Sequence, residues 1–257
     1  MLAVERQHRI LEMLSQSRAV PTARAARALA VSEETVRRDF EKLEADGRLF
    51  RKHGGAVRVN DSRLDLPLDN RQTANVAEKE AIARLALTRI QPGDTVFFDA
   101  SSTVFHLARL LAGLGVTVLT NALKVAVELA PRPGVEVILL GGGVNKSSFS
   151  CQGTLTDQVL ESYHARKAFI SCRGLDGRRG LSEANAEHAG LRRKLIKLCD
   201  QTIVLADHTK MEIQSSYFFA RLADVDLLIT DRPPASSIKQ ALRRSSCRLL
   251  VAGEERT

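Results

Sequence analysis

Val4, Ile10, Leu11 and Leu14 recur at helical spacing and predict a first helix. "RAVP" at 18–21 breaks it. "ARAARALA" at 23–30 predicts a short second helix, capped by Thr22 and closed at Ala30 and Val31. "VSEETVRRDFEKLEADG" at 31–47 predicts a third. Ser32 suits its N-cap, Glu33 and Glu34 suit a first turn whose dipole favours acids, and Gly47 supplies the stop. At about 100° per residue, Val36, Phe40 and Leu43 share one face of this helix. Glu34, Arg37, Arg38 and Glu41 point away from it, with Thr35 and Lys42 on the flanks. "RLFRK" and "AVRV", joined by "HGG", read as two short strands.

The pattern then changes. Residues 60–71 are polar, carry Pro67 and read as a connector. From Val76, the series Ile82, Leu85, Ala86 and Ile90 is amphipathic. Beyond Gln91, seven β-rich runs alternate with helical stretches: "DTVFFD", "GVTVLT", "VEVILLGG", "KAFISC", "QTIVLAD", "VDLLIT" and "RLLVA". Such alternation predicts βαβ units and a mostly parallel sheet covered on both faces. The expected organisation is a head of three helices and a hairpin over 1–59, a linker over 60–71 and an α/β domain over 72–257.

Charge sharpens the reading of the head. The chain has 257 residues and a net charge of +8. Residues 1–60 hold twelve Lys and Arg against eight Asp and Glu, so under a quarter of the chain carries half the excess. Arg48, Arg51, Lys52 and Arg58 fall in a stretch without acids. A solvated charged face would explain the charge alone. Three helices followed by a basic hairpin point instead to a winged helix-turn-helix, whose third helix enters the major groove while the wing grips phosphates. The four cysteines and six histidines show no metal-ligand spacing, so neither a metal nor a disulfide is expected. The charged N-terminus and the lack of a long apolar run predict a cytoplasmic protein without a membrane partner.

Ligands of open α/β sheets bind at the carboxyl ends of the strands. Polar or small residues gather at these ends: Asp99 to Thr103, Thr120 and Asn121, Gly141 to Gly143, Arg173 to Asp176, and Asp207 to Lys210. Each group has a plainer explanation as a helix cap, a tight turn or a surface lysine. Together they predict a phosphate cradle. Ser101, Ser102 and Thr103 offer hydroxyls at a helix start, Gly141 to Gly143 allow close approach, and Lys210 supplies positive charge. Asp99, Asp176 and Glu187 are placed to accept from sugar hydroxyls.

"RQHRI" at 6–10, "VSEETVRRDFEKLEADG" and "RKHGGAV" at 51–57 resemble the DNA-binding domain of the DeoR-type bacterial transcription regulators. "FDASST", "VLTNALKVAVEL", "LLGGGV", "SCQGTL", "KAFISCRGLD" and "LADHTK" resemble their sensor domain. The resemblance implies a repressor with an N-terminal winged helix-turn-helix. It also implies a C-terminal, mostly parallel α/β domain resembling sugar-phosphate isomerases in fold. The implied DNA-binding set is Ser32, Glu34, Thr35, Arg37, Arg38, Lys42, Arg51, Lys52, His53 and Gly54. The implied effector-binding set is Asp99, Ser101, Ser102, Thr103, Thr120, Asn121, Gly141, Gly142, Gly153, Asp176, Glu187 and Lys210. Arg71 and the pair Glu78-Lys79 match family positions at the junction. Phe40 stands where the family usually has Leu, and Ser101 where many members have Gly. "DASST", "SCRGLD" and "SEANAEHAGLRRKLI" look closest to regulators of 6-deoxyhexose catabolism.

The expected partners are double-stranded operator DNA, a phosphorylated sugar and further copies of the chain in a dimer or tetramer; no cofactor and no catalytic residue is expected. An aldose–ketose isomerase with a DNA-binding appendage is the alternative, with Asp99, Asp176 or Glu187 as base. A purely structural nucleoid protein would leave the strand-end polar groups unexplained.

Overall fold

The structure is a computed structural model that describes residues 1–17, 19–45, 48–52, 54–58 and 67–253. Gly47, His53 and residues 60–66 of the expected connector lie outside the described residues. The chain divides into two compact units, Met1–Asp61 and Ser62–Thr257.

The described part of the first unit comprises α1 (Ala3–Gln16), β1 (Ala19–Pro21), α2 (Thr22–Leu29), α3 (Glu33–Ala45), β2 (Leu49–Lys52) and β3 (Gly55–Arg58). Ile10, Leu14, Val20, Leu29, Val36, Phe40, Leu43 and Leu49 form its core. Phe40 is fully packed, so its larger ring is absorbed in the core. Ser32 caps α3, its Oγ accepting from the Thr35 N–H at 3.2 Å.

Three expectations need correction. Val4 is not part of the buried stripe; it is 74% exposed. Thr22 does not cap α2 but is its buried first residue, after Pro21, and its N–H donates to the Gly54 carbonyl at 2.8 Å. The break at 18–21 contains a strand: β1 pairs antiparallel with β3, giving the order β1-β3-β2. This pairing needs Gly55, because a Cβ there would lie 2.5 Å from the Val20 carbonyl oxygen.

A buried ion pair joins α1 to α3. Arg6 donates through Nε and Nη2 to the Asp39 carboxylate, and Gln7 Nε2 adds a bond at 3.2 Å. Asp39 is 4% exposed, so the pairing is what makes its charge tolerable inside.

The second unit begins with α4 (Leu68–Thr73) and α5 (Val76–Leu87). The last residues assigned to the connector are therefore helical. Leu68 is buried, its N–H bonds the Ser147 carbonyl at 2.8 Å, and Asp69 pairs with Lys124. There follow β4 (Thr95–Phe98), α6 (Ser102–Leu110), β5 (Val116–Thr120), α7 (Leu123–Leu129) and β6 (Val135–Leu139). The hairpin β7 (Gly143–Asn145) and β8 (Ser150–Gln152) leads to α8 (Thr154–Glu161) and β9 (Lys167–Ile170). After β10 (Gly174–Asp176) and β11 (Gly180–Glu183) come α9 (Ala186–Leu198), β12 (Gln201–Leu205) and a 3-10 turn over His208–Lys210. The chain ends through β13 (Tyr217–Ala220), β14 (Leu227–Thr230), α10 (Ser236–Arg243) and β15 (Arg248–Val251).

Seven strands, corresponding to the seven β-rich runs, form one sheet in the order β15-β14-β12-β9-β4-β5-β6. Every pairing in it is parallel. Phe98, Val118, Phe169 and Ile203 face a layer with α5, α6 and α7, while Phe97, Leu119, Ile170 and Val204 face a second apolar layer with Leu160, Leu195 and Ile238. Burial on both faces explains why the strands read as continuous apolar runs. The small antiparallel pieces, β7-β8 and β10-β11-β13, leave from the carboxyl ends of β6, β9 and β12. The strand order runs outward from β4 in both directions, so the topological switch point lies between β4 and β9.

Candidate functional site

On the first unit, Ser32, Glu34, Arg37, Arg38 and Lys42 are exposed, and Thr35 is half-buried beside Ser32, their hydroxyls 2.9 Å apart. Arg37 lies 3.4 Å from Glu33 and 3.5 Å from Glu34, and Arg38 lies 3.5 Å from Glu34. Exposed pairs of this kind contribute little and dissociate easily, which leaves both guanidinium groups available. Arg51 behaves differently. It bonds Glu44 at 2.7 Å and Glu41 at 2.6 Å, and its N–H also donates to Glu44. The hydrogen bond to Glu44 raises the guanidinium pKa, opposed by partial burial and helped by Glu41. Arg51 thus fastens the hairpin to α3, while Lys52 and Gly54 stay exposed at its tip.

In the second unit the loop after β4 is held from several sides. Asp99 Oδ1 accepts from the Ser101 N–H at 3.1 Å, and Oδ2 accepts from the Ser171 N–H at 3.1 Å. Arg192 of α9 donates to the same Oδ2 from Nε at 2.9 Å and Nη2 at 2.6 Å, and pairs through Nη1 with Glu183. Burial alone would lower the Arg192 pKa, but Asp99 and Glu183 more than offset it and leave it raised. Asp99, expected to accept from a ligand, therefore commits Oδ1 to its own loop and Oδ2 to Arg192 and, across the switch point, to Ser171. Ser101 is the N-cap of α6, its Oγ accepting from Val104 N–H, so the hydroxyl that replaces glycine terminates a helix. Ser102 and Thr103 are buried in the first turn. Thr120 donates to the Phe98 carbonyl at 2.7 Å and accepts from the Ala122 N–H at 3.0 Å.

Cations gather at the neighbouring strand ends. Lys210 Nζ lies 3.3 Å from Thr209 Oγ1 and 4.0 Å from Asp207 Oδ2. Burial lowers its pKa, and Arg173 and Arg71 depress it further against the pull of Asp207. Lys79, 2% exposed, donates to the carbonyls of Arg71 and Ala74. Burial pushes its ammonium down to about 8, with Lys210 and Arg71 adding repulsion and Asp207 opposing. Lys79 and Lys210 thus each feel Arg71 and Asp207, with Glu78 acting on the first and Arg173 on the second, and a further anion would be favoured there. The fully buried thiol of Cys172 is raised to about 12, first by burial. Glu183, Lys210, Arg192 and Asp207 also act on it electrostatically, and it follows β9 by two residues.

Of the remaining expected residues, Asn121, Gly153 and Glu187 line two small cavities of about 10 Å³ each, room for a single water, while Gly141 and Gly142 do not. Asn121, His188 and Leu191 line both. Gly153 and Glu187 line the first, Asp99 and Arg192 the second. Asn121 Nδ2 donates to the Cys151 carbonyl, but its buried Oδ1 has no hydrogen-bond partner among the described residues. His188 Nε2 sits 3.2 Å from both Ser148 Oγ and Ser150 Oγ. Gly141 accepts from Thr156 Oγ1 at 2.5 Å, and Gly142, at φ 129°, leaves no room for a Cβ, which would meet Thr156 Oγ1 at 2.3 Å. Asp176 lies in the β10–β11 hairpin, accepting from the N–H groups of Arg178 and Arg179 and from Gln214. Neither it nor Lys210 lines these cavities.

Sequence reasoning passed over Arg192, Glu183 and His188, named Arg173 only as part of a strand-end group, and met Arg71 and Lys79 only as junction residues. One signal was present: Arg192 shares the apolar face of α9 with His188 and Leu195, and a charge on such a face needs a buried partner.

Residues 6–62 match the DeoR-like helix-turn-helix domain, and residues 74–232 match the DeoR C-terminal sensor domain. The chain is 38% identical over 231 residues to the uncharacterized HTH-type transcriptional regulator YulB of Bacillus subtilis (strain 168), covering 90% of both. It is 36% identical over 251 residues to the HTH-type transcriptional repressor GlcR of the same organism, covering 98% of this chain and 97% of the relative. Among solved structures, ribose 5-phosphate isomerase A from Methanocaldococcus jannaschii aligns with a TM-score of 0.39 and 14% identity, over 53% of this chain and 55% of that one. With both of its units matched and relatives of this identity along nearly its whole length, the chain belongs to the DeoR family of transcriptional regulators.

Proposed function

We propose that the protein is a sequence-specific repressor of a sugar-catabolism operon, acting in the cytoplasm as an oligomer and controlled by a phosphorylated sugar, a 6-deoxyhexose derivative. The observation that carries the effector reading is the repulsion that buried Lys79 and partly buried Lys210 feel from neighbouring cations, Arg71 on both and Arg173 on Lys210, with Asp207 only partly offsetting it. A phosphate relieves that repulsion. Ser102 and Thr103 at the start of α6 supply further donors, and Asn121 Oδ1 accepts from a sugar hydroxyl. On the DNA side, Arg37, Arg38 and Thr35 read bases, and Lys52 and the hairpin tip grip phosphates. No catalytic step is assigned: both Asp99 oxygens are committed to Arg192 and backbone N–H groups, which speaks against a general base there.

The test pairs two measurements. Phosphorylated hexoses and 6-deoxyhexoses, their unphosphorylated parents and inorganic phosphate are screened for thermal stabilisation, then for a change in affinity for a bound promoter fragment. Lys210→Ala and Ser102→Ala should lose the response to the sugar phosphate and keep DNA binding. Arg37→Ala or Arg38→Ala should weaken specific DNA binding by about 1–3 kcal/mol. A wild-type protein whose DNA affinity ignores every phosphorylated sugar sinks the effector reading. Unchanged DNA binding in both arginine variants sinks the recognition-helix assignment.

A further inference from the structure

Outside these cations lies a cluster that spacing along the chain does not reveal, because its members are residues 78, 208 and 231. Glu78 stands in the first turn of α5, His208 opens the 3-10 turn after β12, and Asp231 follows β14 directly. One ligand-type atom from each lies within 4.8 Å of the others. His208 Nδ1 is 2.7 Å from Asp231 Oδ2, and the His208 N–H donates to Asp231 Oδ1 at 2.6 Å. The Asp231 side chain is 5% exposed, while Glu78 and His208 are about a third exposed, so the cluster is rooted in the fold and open on one side.

One imidazole nitrogen and two carboxylate oxygens form a donor set suited to first-row divalent ions. Arg232 stands at the open side, its Nε 3.0 Å from Asp231 and its Nη2 3.6 Å from Glu78. Its guanidinium meets the same surplus of negative charge that a metal would meet. It is 55% exposed and free to turn out to water. The other histidine–carboxylate pairs among the described residues, His8 with Glu12 and His164 with Asp200, are both well exposed, and neither belongs to a three-donor group.

We propose that Glu78, His208 and Asp231 form a binding site for one divalent transition-metal ion, with Arg232 as the cation it displaces. The ion pins the first turn of α5 to the turn that carries Lys210. Glu78 precedes Lys79, and His208 stands two residues before Lys210, so occupancy of the site bears directly on the cationic group. The inference does not depend on the identity of the effector.

The test uses the untagged full-length protein, stripped with a chelator and titrated with Co²⁺ followed by absorption and with Zn²⁺ followed by calorimetry, without any sugar. One ion per chain is expected. Glu78→Gln and His208→Ala should each weaken binding at least roughly tenfold, since even residues behind the ligands cost that much. Arg232→Ala should tighten it. Glu78→Gln, an isosteric change at a partly exposed position, guards against misfolding as the cause. No binding below about 1 mM, or binding that persists unchanged in both ligand variants as it would at His8 or His164, overturns the site.

Discussion

Lys79 shows how much one buried charge does. Its folded pKa of about 8 lies below the value of 10.5 for a free side chain, chiefly through burial. Between these values the unfolded chain binds more protons, so stability rises with pH from about 8 to 10.5 and the full cost is present below 8. That cost is on the order of 3 kcal/mol. Urea unfolding of the wild type and Lys79→Met, compared at pH 7.5 and pH 10, should show the difference between them shift by a sizeable part of this amount. Parallel curves would contradict the assignment. A bound phosphate favours the charged form, so effector binding near pH 8–9 should take up protons, seen as a buffer-dependent calorimetric heat.

At the level of elements, the ion triad of Asp99, Arg192 and Glu183 ties α9 to the ends of β4 and β11. Arg192→Ala strands two buried carboxylates and should destabilise the second unit by about 3–5 kcal/mol; Arg192→Met, which fills the space, should still leave most of that loss. An unfolding midpoint unchanged in Arg192→Ala would remove the triad from the account. The main elements were legible in the sequence because each leaves a local pattern, a helical period, a run of basic residues around a turn, or a continuous apolar run. Three helices, a basic hairpin and seven parallel strands all leave such a trace. What stayed hidden has none. The strand β1 is three residues long and exists through its pairing with β3. The excursions β7-β8 and β10-β11-β13 are short and include Gly143, Gly174 and Gly180, so they read as loops. The strand-end loops of the candidate site were legible from their small and hydroxylated residues. Arg192 and Glu183 were not, since burial of a charge depends on partners distant in the chain.

For the molecule as a whole, two units of different chemistry share one chain, and their coupling is a matter of linkage. If a sugar phosphate alters operator affinity by some factor, operator DNA alters sugar-phosphate affinity by the same factor. One trihelical reader spans too little DNA to be selective, so specific binding calls for paired half-sites. DNA affinity should fall steeply with salt, and Lys52→Ala should lower the slope of log K against log salt by about one while leaving sequence preference intact. A slope unaltered in that variant would take Lys52 off the phosphate backbone.

An ammonium group has three N–H bonds, and Lys79 directs two of its contacts to carbonyls of its own chain, at Arg71 and Ala74. Those carbonyls belong to α4 and the turn that follows it, at the start of the described part of the second unit. A visiting anion that draws on the same ammonium competes with them, and whatever it gains is taken from the grip on residues 71–74. Faster amide exchange across 71–76 in the presence of effector would register that loosened grip; slower exchange there would mean that the visitor tightens it instead.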